Sequence, residues 1–317
     1  MDVFQAKNEC EKAYLPTESV LLKFSGVDGY DVYNCSVPFT WNGKRYIYGR
    51  IERHEEWMRS WVGLFEETGK DTYQLVKDTM IYQLEDPYVS IIHGELVLGG
   101  THVRLKQGAL DTYYGYFYKG KKLNDLYYFT TGPDRMKDIR LVELADGRIG
   151  VFSRPRGERA KQKYGLDSMV GFAVIDTIED LSPEVIENAA PVSGLFQEGQ
   201  WGGCNQAYLL ESGRIGVVGH VCCNYTDESG VNQACYTAMA FVMDPDTEKI
   251  FDYQIIGARK LFQPYPIKKP NLADCVFPSG IVMREDGKAD LYCGLSDSAE
   301  GRIVIEYPFK NHGGIVK

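Results

Sequence analysis

Asn42-Gly43-Lys-Arg-Tyr-Ile-Tyr-Gly-Arg-Ile-Glu52 decides the fold, because its form recurs four more times along the chain. A turn ends in glycine and an apolar strand follows. His93-Gly94 leads into ELVLGGTHV, and Asp146-Gly147 into RIGVFSRP. Ser212-Gly213 leads into RIGVVGHV, and Asp286-Gly287 into KADLYCGLSD. Asx-Gly pairs between apolar runs mark hairpins, since Gly and Asn tolerate positive φ. A strand precedes each turn, at 36–41, 87–92, 139–144, 206–210 and 278–283. Further strand-like segments follow at 113–118, 171–175, 237–243 and 302–306. The repeated unit is an antiparallel meander of three or four strands, recurring at intervals of roughly 50–75 residues. This predicts an all-β chain: one five-bladed β-propeller domain over residues 1–317, its blades set around a central channel. A pair of β-sandwiches is the rival, but no Pro/Ser/Gly-rich stretch marks a linker. Two helices are expected, one at Leu181–Glu187 with Ser182 as N-cap and Pro183 at the first helical position. The other is His54–Phe65, whose Trp57, Trp61, Leu64 and Phe65 share a helical face.

Composition narrows the function. Apolar residues make up 44% of the 317 and charged residues 25%, the balance of a globular protein. Lys and Arg number 35 against 44 Asp and Glu, a net charge of −9. That charge argues against general binding to nucleic acid or anionic membrane, which need clustered cations. Aromatic content of 13% favours strands. No apolar run is long enough to span a membrane, and residues 1–20 lack the apolar core of a signal peptide. A cytoplasmic protein is therefore expected, with its eight cysteines as reduced, mostly buried thiols. The cysteines and histidines show no metal-ligand spacing, so no metal is expected. On the same reasoning, the sequons at Asn34 and Asn224 are chance matches.

The repeats also place the chemistry. The strand preceding each turn begins near Asn34, Asp86, Asp138, Asn205 and Asp274. The strand following it ends near Arg50, His102, Arg154, His220 and Asp297. A hairpin brings its open ends together, so both sets should face one pocket opposite the glycine turns. Acidic residues (Asp86, Asp138, Asp297) should line one wall of it and basic ones (Arg154, His220) the other. Glu52, Glu55 and Glu56 read as a solvated helix face, and Tyr113–Tyr118 as packing of an outer strand.

These residues resemble a known family, the five-bladed β-mannoside phosphorylases and their relatives, which include the mannogen-making mannosyltransferase-phosphorylases of trypanosomatids. The likeness rests on Asn34 with Arg50, Glu85-Asp86-Pro87, and Lys137-Asp138 with Ser153-Arg154-Pro155. It continues with Val218-Gly219-His220-Val221 and Phe277-Pro278-Ser279-Gly280 followed by Tyr292-Cys293-Gly294-Leu295-Ser296-Asp297. Cys35, Ile139 and Ser153 depart from that pattern, Ser153 beside the phosphate pocket.

The resemblance implies inverting phosphorolysis or transfer at a β-mannosidic bond. Inorganic phosphate or GDP-mannose would be co-substrate, with no further cofactor, and a β-mannooligosaccharide the partner. In this reading Asp86 is the proton donor, with Asp138 the next catalytic candidate. Arg154 and His220 hold phosphate. Asn34, Arg50, His102, Asn205 and Asp297 bind substrate. Partial burial and neighbouring carboxylates should raise the Asp86 pKa. The alternatives are an inverting hydrolase, which needs Asp138 or Asp297 as a second carboxylate, and a non-catalytic sugar-binding propeller.

Overall fold

Each of the five glycine turns closes a hairpin. Gly43, Gly94, Gly147, Gly213 and Gly287 all have φ between 75° and 87°, which side chains adopt at a cost. At Asn42-Gly43 and His93-Gly94 both turn residues are left-handed, the geometry that matches the twist of the flanking strands. In the other three the glycine alone is left-handed.

The hairpins grow into five sheets in the computed structural model, which describes residues 2–227 and 230–316. The chain is a five-bladed β-propeller. Blade 1 sets Asp31–Tyr33 and Phe39–Trp41 against Lys44–Glu52, followed by Trp61–Gly69 and Thr72–Leu75, with Lys23–Ser25 parallel to the last. Blade 2 pairs Glu85–Ile92, Glu95–Lys106, Ala109–Gly120 and Tyr127–Thr131 in order. Blade 3 uses Arg140–Glu143, Ile149–Ser153, Gly171–Ile175 and Ala190–Pro191. Blade 4 uses Gln200–Leu209, Ile215–Thr226, Asn232–Met243 and Ile250–Gly257. Blade 5 supplies Val276–Met283, Lys288–Leu295 and Ala299–Glu306, and its outer strand comes from the other end of the chain. Ser19–Leu21 pairs antiparallel with Ala299–Glu306, which ties the N-terminal segment to the last blade. Arg302 reinforces that tie. It donates to Glu18 at 2.8 Å, Asp71 at 2.6 Å and Asp290 at 2.7 Å.

Apolar residues hold neighbouring blades together. Tyr48, Leu64, Val89 and Leu96 pack between blades 1 and 2. Tyr88, Ile139, Leu141 and Ile149 pack between blades 2 and 3. Phe152, Phe172, Val217 and Phe241 join blades 3 and 4, and Val218, Ala240, Ile281 and Leu291 join blades 4 and 5. Tyr292 of blade 5 packs with Ile47 and Phe65 of blade 1. Strands buried on both faces explain why several repeats read as continuous rather than alternating apolar runs.

The helix at Pro183–Glu187 forms as expected, with Ser182 Oγ accepting from Val185 N. The helix expected at His54–Phe65 does not form. Trp61–Gly69 is instead the third strand of blade 1, with Leu64 opposite Tyr48. The aromatic spacing imitates a helical stripe, but Trp57 and Trp61 are 53% and 48% exposed while Val62, Leu64 and Phe65 are buried. The pleat, with Gly63 against Gly49, satisfies both faces of this strand at once. Glu52 is likewise no solvated residue. It is fully buried and accepts from Tyr33, Ser60, Lys268 and the Arg59 amide. Among the described residues, no helix is long and apolar enough to cross a membrane.

Candidate active site

The inner strands carry irregularities at matching places. In blade 2, Asp86 and Pro87 together oppose Gly100. In blade 4 the extra residue is Asn205, and in blade 5 it is Ser279. Such bulges turn a side chain out of the strand's alternation. Asn34, Asp86, Asp138 and Asp297 have φ of 45°, 49°, 58° and 55°. Asn and Asp tolerate this left-handed region best among residues with side chains. These four left-handed positions stand at the blade ends where the sequence repeats place the candidate site.

Asn34, Arg50, Asp86 and Asp297 line one cavity of about 470 Å³. Arg50 is its organising cation. Its Nη1 donates to Asp86 Oδ1 at 2.9 Å and its Nη2 to Glu85 Oε1 at 3.0 Å, while its Nε donates to Ser60 at 2.7 Å. Asn34 Nδ2 donates to Asp86 Oδ1 at 2.9 Å and reaches Asp297 Oδ1 at 3.5 Å. Lys137, also in the wall, places its Nζ 3.6 Å from Asp86 Oδ2. Burial pushes the Asp86 carboxyl up, but the Arg50 and Lys137 charges outweigh it and hold the pKa below the usual value. The expected raised pKa is thus reversed, because the charges of Arg50 and Lys137 act on Asp86 more strongly than the carboxylate of Asp138 does. Asp297 goes the other way: burial holds its pKa up against the pull of Arg50.

Behind this cavity lies a second, fully buried cluster. Asp138 accepts from Arg154, with Arg140 at 3.8 Å and His220 Nε2 at 3.9 Å. Asn205 Oδ1 lies 2.6 Å from His220 Nδ1 and fixes the ring. Tyr236 and Phe277, both lining the cavity, pack on the His220 ring with centroids at 6.1 and 4.8 Å. Arg154 Nε, His220 Nε2 and Asn205 Nδ2 are buried without hydrogen-bond partners. Burial and the Arg154 charge push the His220 pKa well down, so the ring is neutral. Burial raises the Asp138 pKa, but the cations around it outweigh that and lower it. Acids and bases are therefore interleaved, not sorted onto opposite walls as expected.

Two members of the expected constellation stand apart. His102 alternates away from the cavity while its neighbours Thr101 and Val103 line it. Its ring stacks on Tyr116 at 4.6 Å and its Nδ1 meets the Gln83 carbonyl at 3.1 Å. One residue of register separates the two faces of a strand. Asp274 accepts from Lys7 of the N-terminal helix Val3–Ala13 and does not line the cavity. Conversely, sequence reasoning passed over Lys137, Glu85 and Tyr236. Lys137 and Glu85 each sit next to a singled-out aspartate, and that adjacency was the available signal. Among the described residues, no group of three or more His, Cys, Asp or Glu is arranged to hold a metal.

Glu300 supports the site from below. Its carboxylate accepts from the Cys35 amide at 3.1 Å and from Ser279 at 2.7 Å. Burial pushes its pKa from 4.5 up to about 7. The native carboxyl therefore keeps a proton that the unfolded chain has released, so stability falls as pH rises between those values. The loss has an upper bound of roughly 3 kcal/mol at 1.36 kcal/mol per unit. Glu300→Gln preserves an acceptor for Cys35 and a partner for Ser279. Urea unfolding at pH 5 and pH 8 should show a smaller difference for this variant than for the wild type. An unchanged difference would assign the pH dependence elsewhere.

The family described as "Protein of unknown function (DUF1861)" matches residues 8–311. Among solved structures, MPT-4, a mannose phosphorylase from Leishmania mexicana in complex with phosphate ion, is 52% identical. The match covers 99% of this chain and 96% of that one, with a TM-score of 0.94. MPT-1, a GDP-Man-dependent mannosyltransferase from Leishmania mexicana, is 46% identical over 100% and 99% of the two chains, with a TM-score of 0.92. The chain belongs to this mannosyl phosphorylase and mannosyltransferase family. The cavity described above is lined by residues of all five blades. A glycosyl hydrolase from Bacteroides ovatus is 14% identical over 96% of this chain and 97% of that one, with a TM-score of 0.60. That likeness extends to the fold alone. No curated protein matches the chain.

Proposed function

We propose that the chain is an inverting β-mannosyl phosphorylase and transferase, with Asp86 as its proton-transfer group. The observation that carries this reading is the adjacency of two features. An aspartate is clamped between Arg50 and Lys137, and beside it lies a buried cluster whose Arg154, His220 and Asn205 present unpartnered polar atoms. The 52% identity to a phosphate-bound mannose phosphorylase supports it further.

In phosphorolysis a phosphate oxygen attacks the anomeric carbon from the face opposite the leaving sugar. The glycosidic C–O bond breaks, Asp86 gives its proton to the departing oxygen, and α-mannose 1-phosphate results. Arg154 binds the anion. His220, protonated on Nδ1 toward Asn205, offers the Nε2 lone pair to the O–H of monohydrogen phosphate. Asp138 holds Arg154 in place. Asn34, Arg50 and Asp297 grip the mannosyl ring and orient Asp86. An arriving dianion offsets the Arg154 and Lys137 charges, so the Asp86 pKa climbs when phosphate binds. In the synthetic direction the free Asp86 carboxylate takes the acceptor's hydroxyl proton, the state its lowered pKa favours.

GDP-mannose as an alternative donor is supported by the 46% identity to a GDP-Man-dependent transferase. Hydrolysis is disfavoured. Asp138 is spent on Arg154 and lies off the cavity, which leaves Asp297 as the one remaining candidate for the second carboxylate that hydrolysis needs. The deciding assay incubates the protein with β-mannooligosaccharide with and without phosphate. Mannose 1-phosphate formed only with phosphate supports the reading, and free mannose formed without phosphate overturns it.

Gly203 tests the phosphate seat. A Cβ there would stand 3.1 Å from Arg154 Cδ and 3.2 Å from His220 Cε1. Gly203→Ala should raise the KM for phosphate about tenfold with little change in the KM for the mannoside. Equal shifts in both constants would place phosphate elsewhere.

A further inference from the structure

Glu85 lines the cavity beside Asp86, buried and without a part in the phosphorolytic steps. Consecutive residues of a strand face opposite sides, yet these two face the same cavity and the same cation. The bulge at Asp86-Pro87 and the left-handed backbone of Asp86 bring this about. Arg50 spreads its fork over both: Nη1 donates to Asp86 at 2.9 Å and Nη2 to Glu85 at 3.0 Å. Adjacent nitrogens of one guanidinium thus hold the two carboxyls side by side.

One shared cation does not neutralise both. Glu52 stands 3.6 Å from the same Nη2. It is ionised, since Arg50, Lys268 and Tyr33 outweigh its burial. Lys137 stands 3.6 Å from Asp86 Oδ2, and Asn34 Nδ2 donates to Asp86 Oδ1. These contacts favour charge on Asp86, so a proton entering the pair settles on Glu85. Burial, Asp86 and Glu52 hold the Glu85 carboxyl above its usual range against Arg50 and Lys137. Across the strand pair Glu85 faces the uncharged Thr101, while His102 turns to the other side. Asp297 of blade 5 meets Asp86 through Asn34 Nδ2, at 3.5 Å.

An acid held ionised by two cations has no proton to give. We propose that Glu85 is a positioning residue for that proton: it shares Arg50 with Asp86 and stores the proton that Asp86 delivers to the departing sugar. The proposal rests on the phosphorylase reading and adds a second carboxyl to it. The arriving phosphate dianion offsets the Arg154 and Lys137 charges and so shifts the proton toward Asp86. The Glu85 O–H passes its proton to the Asp86 carboxylate, directly or through one water, and Glu85 remains as a carboxylate on Arg50. Asp86 gives the proton to the glycosidic oxygen, which takes the electron pair of the breaking C1–O bond. The cycle closes when His220 releases to solvent the proton taken from monohydrogen phosphate, and Glu85, its side chain 11% exposed, takes one back. Like charges side by side let the pair bind its first proton more readily than a lone clamped aspartate would.

Two measurements test this. The first follows kcat/KM against pH for phosphorolysis of mannobiose and of a nitrophenyl mannoside, with the wild type, Glu85→Gln and Glu85→Asp. Gln still accepts from Arg50 but stores no proton. On mannobiose, Glu85→Gln should lower the pH above which activity falls by about one unit or more, roughly a tenfold loss at neutral pH. On the nitrophenyl mannoside, whose leaving group needs no proton, the change should be small. Glu85→Asp should restore the wild-type limb. Equal losses on both substrates, or an unmoved limb, would overturn the proposal and leave Glu85 as a support for Arg50. The second measurement is a carbon NMR titration of glutamate carboxyls, with Glu85 assigned by its absence in Glu85→Asp. This reading needs no Glu85→Gln protein, should that variant fold poorly. The Glu85 midpoint should lie above the usual range in the wild type and fall in Asp86→Asn. A midpoint in the ordinary range, indifferent to Asp86, would overturn the proposal as well. A linked titration in a protein with no mannosyl turnover would keep the proton pair and sink the phosphorylase reading. Phosphorolysis with an unmoved limb would do the reverse.

Discussion

Asp86→Asn is expected to slow phosphorolysis of an unactivated β-mannoside by about 10²–10⁴-fold, the usual worth of general acid help. The fold should survive. Asn keeps the size, still accepts from Arg50 and Asn34, and tolerates the left-handed backbone that Asp86 occupies at φ 49°. A nitrophenyl mannoside, whose leaving group needs no proton, should recover part of the loss. The lowered pKa adds a pH signature. Phosphorolysis needs Asp86 protonated and synthesis needs it ionised. The phosphorolytic optimum should therefore lie on the acid side of the synthetic one, with phosphate binding narrowing the gap. Full activity of Asp86→Asn on mannobiose would end the assignment.

Arg154→Ala is expected to raise the KM for phosphate by about 10²-fold, since hydrogen bonds to charged groups are worth about 1.5–3 kcal/mol each. The same change strips Asp138 of its nearest cation in a fully buried place. Breaking a buried pair costs about 3–5 kcal/mol, so the melting temperature should fall as well. The double variant Arg154→Ala/Asp138→Asn separates the two effects. Removing the stranded charge should restore much of the stability and none of the phosphate affinity. Recovery of both together would make Arg154 a purely structural residue.

The five glycine turns, the five inner hairpins and most of the strands were legible in the sequence, because turn chemistry and apolar patterning are local properties. So was the alignment that brings Asn34, Arg50, Asp86 and Asp297 into one cavity, since equivalent ends of repeated hairpins meet at the channel by symmetry. Local signals failed where two periodicities overlapped. The spacing of Trp57, Trp61 and Phe65 reads as a helix until the sheet needs Val62 and Leu64 on one face. The tertiary structure alone decided which side of a strand a residue faces and which charges pair across blades. His102 turned away by one step of register, Asp274 went to Lys7, and Glu52 was drawn inside to Lys268. The pKa of Asp86 belongs to the same class. Its carboxylate neighbours were visible in the repeats. The approach of Arg50 and Lys137, whose charges reverse the shift, arises only when blades 1, 2 and 3 pack around one axis. Electrostatic interaction depends on distance in space, and sequence separation carries no record of it.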